Sequence, residues 1–144
     1  MPLKLLVLLN FGLAAFLAGL IWTIQLVHYP SFGLVGKAEF SRFHQAHTTR
    51  MGYLAGAPMA LELGLSLWLV WAAHRTPLAA VSWWALALTV LVWVVTFFVS
   101  VPFHDRLAAG FDYIAIDGLT RTNWLRTLAW TARMALLGFA AARW

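Results

Sequence analysis

The sequence predicts an all-α integral membrane protein, an up-and-down bundle of four helices with a short interfacial helix between helices three and four. Three observations predict it. Hydrophobic residues make up 62% of the chain and charged residues 10%, whereas soluble proteins are about 25% charged. Apolar runs of about 20 residues recur, the length needed to cross a hydrocarbon core of roughly 30 Å. Four such runs consume most of the 144 residues, so the whole chain, 1–144, reads as a single transmembrane domain.

The first span covers about 5–28. It begins after Lys4 and continues uncharged from Leu5 to Val27, about 34 Å of helix. A signal peptide also begins with a basic residue and an apolar run, but this segment has no small-residue cleavage site and reads as a retained helix. The second span, about 51–73, contains one charge, Glu62, and Pro58 is placed to kink it. The third, about 77–101, is uncharged and rich in valine and tryptophan; Pro77 suits a first turn and Pro102 a stop. Its length excludes a strand. The fourth, about 123–142, is interrupted by Arg126 and Arg133, with apolar Leu136 to Ala142 behind them and Trp144 as an interfacial anchor.

Three residues, His74-Arg75-Thr76, join spans two and three. The other two connections are about 20 residues each and hold most of the polar side chains. In the first, Phe40, Phe43, His44, His47 and Met51 recur at helical spacing, so the second helix is expected to start near Lys37 and to project past the membrane. In the second, Leu107, Phe111, Ile114 and Leu119 predict the interfacial helix. Among the tryptophans, Trp83, Trp84, Trp124 and Trp144 fall near expected interfaces, and Trp93 and Trp130 deeper. Gly12, Gly19, Gly52, Gly56 and Gly64 are the expected points of close helix approach.

Composition also excludes functions. With no cysteine, disulfides, iron–sulfur clusters and thiolate metal sites are ruled out. The net charge of +5 comes from single basic residues beside apolar spans, which suits anionic lipid headgroups and not nucleic acid.

Antiparallel spans bring the end of helix one, the start of helix two, the end of helix three and the start of helix four to one side. His28, His44, His47 and His104 follow that geometry; only His74 lies opposite. His44 and His47 are three residues apart, which turns both imidazoles to one side of a helix. With His28 and His104 they form a candidate site for copper, iron, manganese or zinc, with Asp105 as an oxygen or supporting ligand. Two facing histidines also suffice for haem b, with Arg50 or Arg121 near the propionates; Asn123 is the third residue assigned to cofactor binding. The bland alternative is interfacial histidines satisfied by water and headgroups.

Within the spans, Glu62 and Arg133 each lie about eleven or twelve residues from the histidine side, near the midplane, where they can pair. An intramembrane charge is a functional candidate because it is costly unless it faces a partner or a wet cavity. Glu62 is the candidate proton-transfer group, and Arg126 and Arg133 the groups that orient an anionic or oxygen-bearing substrate; an ion pair that merely fixes two helices is the structural alternative. Asn123, Arg126, Trp130 and Arg133 fall at three- and four-residue steps and predict one polar and aromatic stripe facing inward.

At His28-Tyr29-Pro30-Ser31-Phe32, Phe43-His44-x-x-His47 and Asn123-Trp124-Leu125-Arg126-Thr127-x-x-Trp130-x-x-Arg133, the sequence resembles a family of small four-span bacterial membrane proteins. That family is similar to the anthrone-oxygenase-like membrane proteins, which also place a proline after the first span and an asparagine/arginine pattern near the last. The resemblance covers most of the chain in layout and these short segments in residues. It implies an oxygenase or related oxidoreductase acting on a lipophilic, often aromatic, substrate, and it carries over no catalytic residue.

The expected function is therefore a membrane-embedded, metal-dependent oxidoreductase or oxygenase whose lipophilic substrate enters from the bilayer. The alternative is a non-enzymatic haem- or quinone-binding or structural subunit, since the apolar outer face suits a second copy or a larger membrane complex as well as lipid. A small proton-coupled transporter through Glu62 and Arg133 ranks third. Lys37, Arg42, Arg50, Arg106 and Arg121 lie on the histidine side, against Lys4, Arg75 and Arg143 opposite, so the expected location is a bacterial inner membrane with the histidines cytoplasmic.

Overall fold

A computed structural model of the chain describes residues 1–143; the anchor assigned to Trp144 lies outside them. The described residues are all-helical, with no strand. Three helices are long and apolar enough to cross a membrane: α1 (Leu3–Leu34), α2 (Phe40–Ala73) and α3 (Ala79–Ala108). A further helix, α4 (Tyr113–Ala141), runs for 29 residues. α1 packs on α2 and α4, and α3 packs on the same two.

Helix α1 runs on past His28 to Leu34 and α2 begins at Phe40, and two further features differ from the sequence reading. No separate interfacial helix occurs between α3 and α4 among the described residues. Helix α3 continues through Pro102 to Ala108, and α4 already begins at Tyr113. Of the apolar residues that predicted an interfacial helix, Leu107 and Leu119 are fully buried, whereas Ile114 is exposed. The reversal is made at Gly110, whose φ of 144° is one that L residues rarely adopt. Asp112 then caps α4, its carboxylate accepting from the backbone N–H of Ala115 at 3.0 Å and from Arg106 at 2.6 Å. The Ala115 N–H first, and the Arg106 guanidinium after it, hold this carboxyl below its usual pKa.

The second difference is that Pro102 does not stop its helix. Pro30, Pro58 and Pro102 each follow a π-helical turn, over Ile24–His28, Gly52–Gly56 and Thr96–Ser100. A proline inside a helix has no N–H for the carbonyl four residues back, and its ring collides with that carbonyl. The carbonyls concerned belong to Leu26, Leu54 and Phe98, each in the middle of a π turn. The widened turn relieves the clash and lets the helix continue.

The interior has two apolar clusters with a polar layer where they meet. One, around Leu17, Phe32, Leu107 and Trp130, lies toward the histidines, and the other, around Leu6, Leu69 and Leu137, toward the opposite end. Between them Asn10, Glu62, Ser66, Thr89 and Arg133 are all buried. Outward faces are apolar: Phe16, Leu61, Trp71, Trp84, Phe98 and Phe139 are exposed, the reverse of a soluble surface.

Glycine contacts also correct an expectation. A Cβ added at Gly12, Gly19, Gly52, Gly56 or Gly64 would meet nothing within 4 Å, so these are not the points of close approach. Those points are Gly118 and Gly138, where an added Cβ would lie 2.6 Å from the Phe103 ring and 2.9 Å from the Phe11 ring.

Candidate functional site

The three π turns face one cavity of about 280 Å³. Ile24, Gly52, Gly56, Thr96 and Ser100 contribute to its walls, which are mostly apolar. A π turn carries one more residue per turn than the helix around it, so side chains beyond it are re-aimed. On this chain His28 closes one such turn, and Tyr29 and His104 follow one.

Three helices bring His28, His44, His47 and His104 together, as their order along the chain predicts, and His47 and His104 line the cavity. His28 Nε2 lies 2.7 Å from His47 Nδ1, and His44 Nε2 lies 3.0 Å from His104 Nδ1. His44 and His47 are buried. Phe32, fully buried, is the hub on which they rest, with its ring against Tyr29, Phe40, His44 and His47. Phe40 also stacks on His44.

Tyr29 links this cluster to α4. Its hydroxyl accepts from Arg126 Nη2 at 3.1 Å and lies 3.2 Å from His104 Nε2. Arg126 can only donate, whereas the tautomers of His104 and His44 set which way the protons of the other two contacts point. These contacts form a continuous chain Arg126, Tyr29, His104, His44. Arg126 Nη2 also donates to Asn123 Oδ1 at 2.5 Å, and Asn123 Nδ2 donates to Gln25 Oε1 at 2.9 Å.

The Glu62–Arg133 pair forms as expected. Arg133 Nη1 stands 3.0 Å from Glu62 Oε1 in an ion pair whose angle is not that of a hydrogen bond. Arg133 Nη2 donates to Asn10 Oδ1 at 2.9 Å and to Ser66 Oγ at 2.8 Å, and Trp130 Nε1 donates to Glu62 Oε2 at 3.0 Å. Trp130 lines the cavity, whereas Glu62 and Arg133 lie behind it. The stripe on α4 is confirmed in full: Asn123, Arg126, Trp130 and Arg133 are all buried.

Other assigned residues stand apart. Asp105 and Arg50 are exposed, and Arg121 is exposed and paired with Asp117 at 2.9 Å. The sequence reading gave no role to Tyr29, Phe32, Thr96 or Ser100. Tyr29-Pro30 and the serine two residues before Pro102 were the available signals, since a proline inside an apolar run re-aims its neighbours.

The imidazoles bear on metal binding only in pairs. Two nitrogen ligands at about 2.0–2.1 Å from one metal stand roughly 3 Å apart, close to the spacing within each histidine pair. Among the described residues no group of three or more histidine, aspartate or glutamate side chains is arranged to hold one ion.

Comparison with protein families, curated proteins and solved structures finds no match to this chain. Fold and site alone therefore define its class: an all-helical protein with three membrane-length apolar helices and an apolar cavity headed by imidazoles.

Proposed function

We propose that the chain is a multi-pass protein of a bacterial inner membrane, a four-helix up-and-down bundle in which α4 is the fourth span. It acts as an oxidoreductase on a lipophilic, oxygen-bearing molecule admitted from the bilayer. One observation carries this reading: a cavity with apolar walls at span depth ends in a polar head made of His47, His104, Tyr29 and Arg126. Such a cavity matches a ligand whose body belongs in lipid and whose oxygen belongs among donors. The resemblance to anthrone-oxygenase-like proteins agrees with it.

In this reading the His28–His47 pair would hold a transition metal, copper, iron, manganese or zinc, while His44 and His104 stay hydrogen-bonded to one another. When bound, the metal would supply the redox chemistry, with dioxygen or another electron acceptor as co-reactant. The protein's own residues do the rest. Apolar walls exclude water, Arg126 orients the substrate oxygen, and the Tyr29–His104–His44 chain moves a proton between the cavity and the histidine face. Glu62 accepts from Trp130 Nε1 and so fixes the indole that lines the cavity. The basic residues of the histidine face favour a cytoplasmic orientation.

A second reading is a non-enzymatic haem- or quinone-binding or structural subunit, and the imidazoles' pairwise satisfaction of one another supports its structural form. Elemental analysis and an absorption spectrum of the detergent-purified protein separate the two. Near-stoichiometric copper, iron, manganese or zinc supports the oxidoreductase; a Soret band supports haem; neither, even after incubation with metals, removes the metal-dependent reading.

A further inference from the structure

We infer that Arg126 is an anion-binding residue, and that the cavity takes a lipophilic monocarboxylate with its headgroup on Arg126 and its tail toward the lipid. The inference deepens the proposed function and rests on its reading of the cavity as a ligand site.

Arg126 is 7% exposed, and among the described residues no carboxylate pairs with it. Its Nη2 reaches only neutral partners, Tyr29 and Asn123. Its Nε is buried with no hydrogen-bond partner among the described residues. A buried cation without a counter-charge is strongly disfavoured unless something supplies the missing anion. Arg133, two turns further along the same helix, has its anion in Glu62. Glu62 cannot serve both, since its two oxygens already face Arg133 and Trp130.

The same cavity holds two more buried polar atoms without partners, Thr96 Oγ1 and Ser100 Oγ. Three unpartnered donors on one cavity call for a headgroup with more than one acceptor oxygen. A carboxylate has two oxygens and the charge that Arg126 lacks. The cavity, about 280 Å³, is near the lower end of the roughly 300–1,000 Å³ usual for drug-sized ligands. It therefore holds a headgroup and the first carbons of a chain, and the rest must leave. The exit is marked by Gly52 and Gly56, which are exposed, line the cavity and would meet nothing within 4 Å if they carried a Cβ.

The test uses the full chain in phosphatidylcholine nanodiscs and measures binding of dodecanoate, its methyl ester and dodecanol. The expected result is that dodecanoate binds about 10- to 100-fold more tightly than either neutral analogue, the ratio a charge-assisted hydrogen bond gives. Arg126→Gln should abolish that preference while leaving dodecanol affinity near its original value. Gly56→Leu, which fills the exit without touching Arg126, should weaken dodecanoate and dodecanol alike. Equal binding of all three lipids overturns the carboxylate inference and leaves the cavity reading standing. No binding of any of them overturns both.

Discussion

Arg126 and Arg133 lie seven residues apart on one face of α4, both buried, in surroundings that differ in one respect. Arg133 is enclosed: Glu62 supplies the opposite charge, Asn10 and Ser66 accept from Nη2, and apolar packing surrounds the group. Arg126 has neutral partners only, and it lines a cavity. Two buried arginines on one helix therefore differ in whether the fold supplies a counter-charge, and in the proposed reading they serve different ends. Where a fold supplies the counter-charge itself, the residue holds helices together. Where it supplies a cavity in place of a counter-charge, the residue is available to something that enters.

The sharpest way to break this comparison is to remove each half of the enclosed pair. Arg133→Met leaves Glu62 buried and unpaired, which should cost about 3–5 kcal/mol; thermal unfolding in detergent measures it. Adding Glu62→Gln should recover much of the loss, because the stranded charge is then gone. If Arg133→Met unfolds like the unaltered protein, the pair is not structural.

A smaller effect compares packing around the two regions. Gly118→Ala puts a methyl 2.6 Å from the Phe103 ring and should cost about 1–3 kcal/mol, read from the same unfolding curve. Gly56→Ala, with open space around it, should be close to neutral. Equal losses at both glycines would contradict the portal assigned to Gly56.

Tyr29→Phe sharpens the open half alone. It removes the hydroxyl between Arg126 and His104 and should cost about 1–2 kcal/mol, without altering the Glu62 pair. A cost that vanishes when Arg126→Gln is also present would show that the two residues act as a unit.

The smallest effect lies outside both regions, at Asp112. Its carboxyl pKa is lowered in the folded protein, so the stability it contributes is present above the unfolded value and is lost as pH falls through the lowered one. Asp112→Asn should flatten the acid end of the stability curve, and an unchanged acid limb would remove this role.

How legible these features were varies with the physics behind them. Helix periodicity placed Asn123, Arg126, Trp130 and Arg133 on one face, and chain order placed four histidines at one end, because both follow from rise per residue and short reversals. The Glu62–Arg133 pair was legible because both residues are the same distance from the histidine side. Whether α4 runs continuously from Tyr113, or α3 passes through Pro102, was not legible, since a proline in an apolar run signals a stop as readily as a π turn. Glycines at four-residue spacing misled, because Gly52 and Gly56 face an opening while the close approaches fall at Gly118 and Gly138. Nor does spacing reveal that Thr96 and Ser100 share a cavity with Arg126, which is a matter of tertiary geometry.

The most direct test of the account is the unfolding temperature of Arg126→Met beside that of Arg133→Met, both in lipid-free detergent with no carboxylate added. The account predicts that Arg126→Met unfolds at or above the temperature of the unaltered protein, because it removes a buried charge that the fold does not compensate, while Arg133→Met unfolds well below it. A fall for Arg126→Met as large as that for Arg133→Met would mean that both arginines are structural, and that the cavity is not a site built around an unpaired charge.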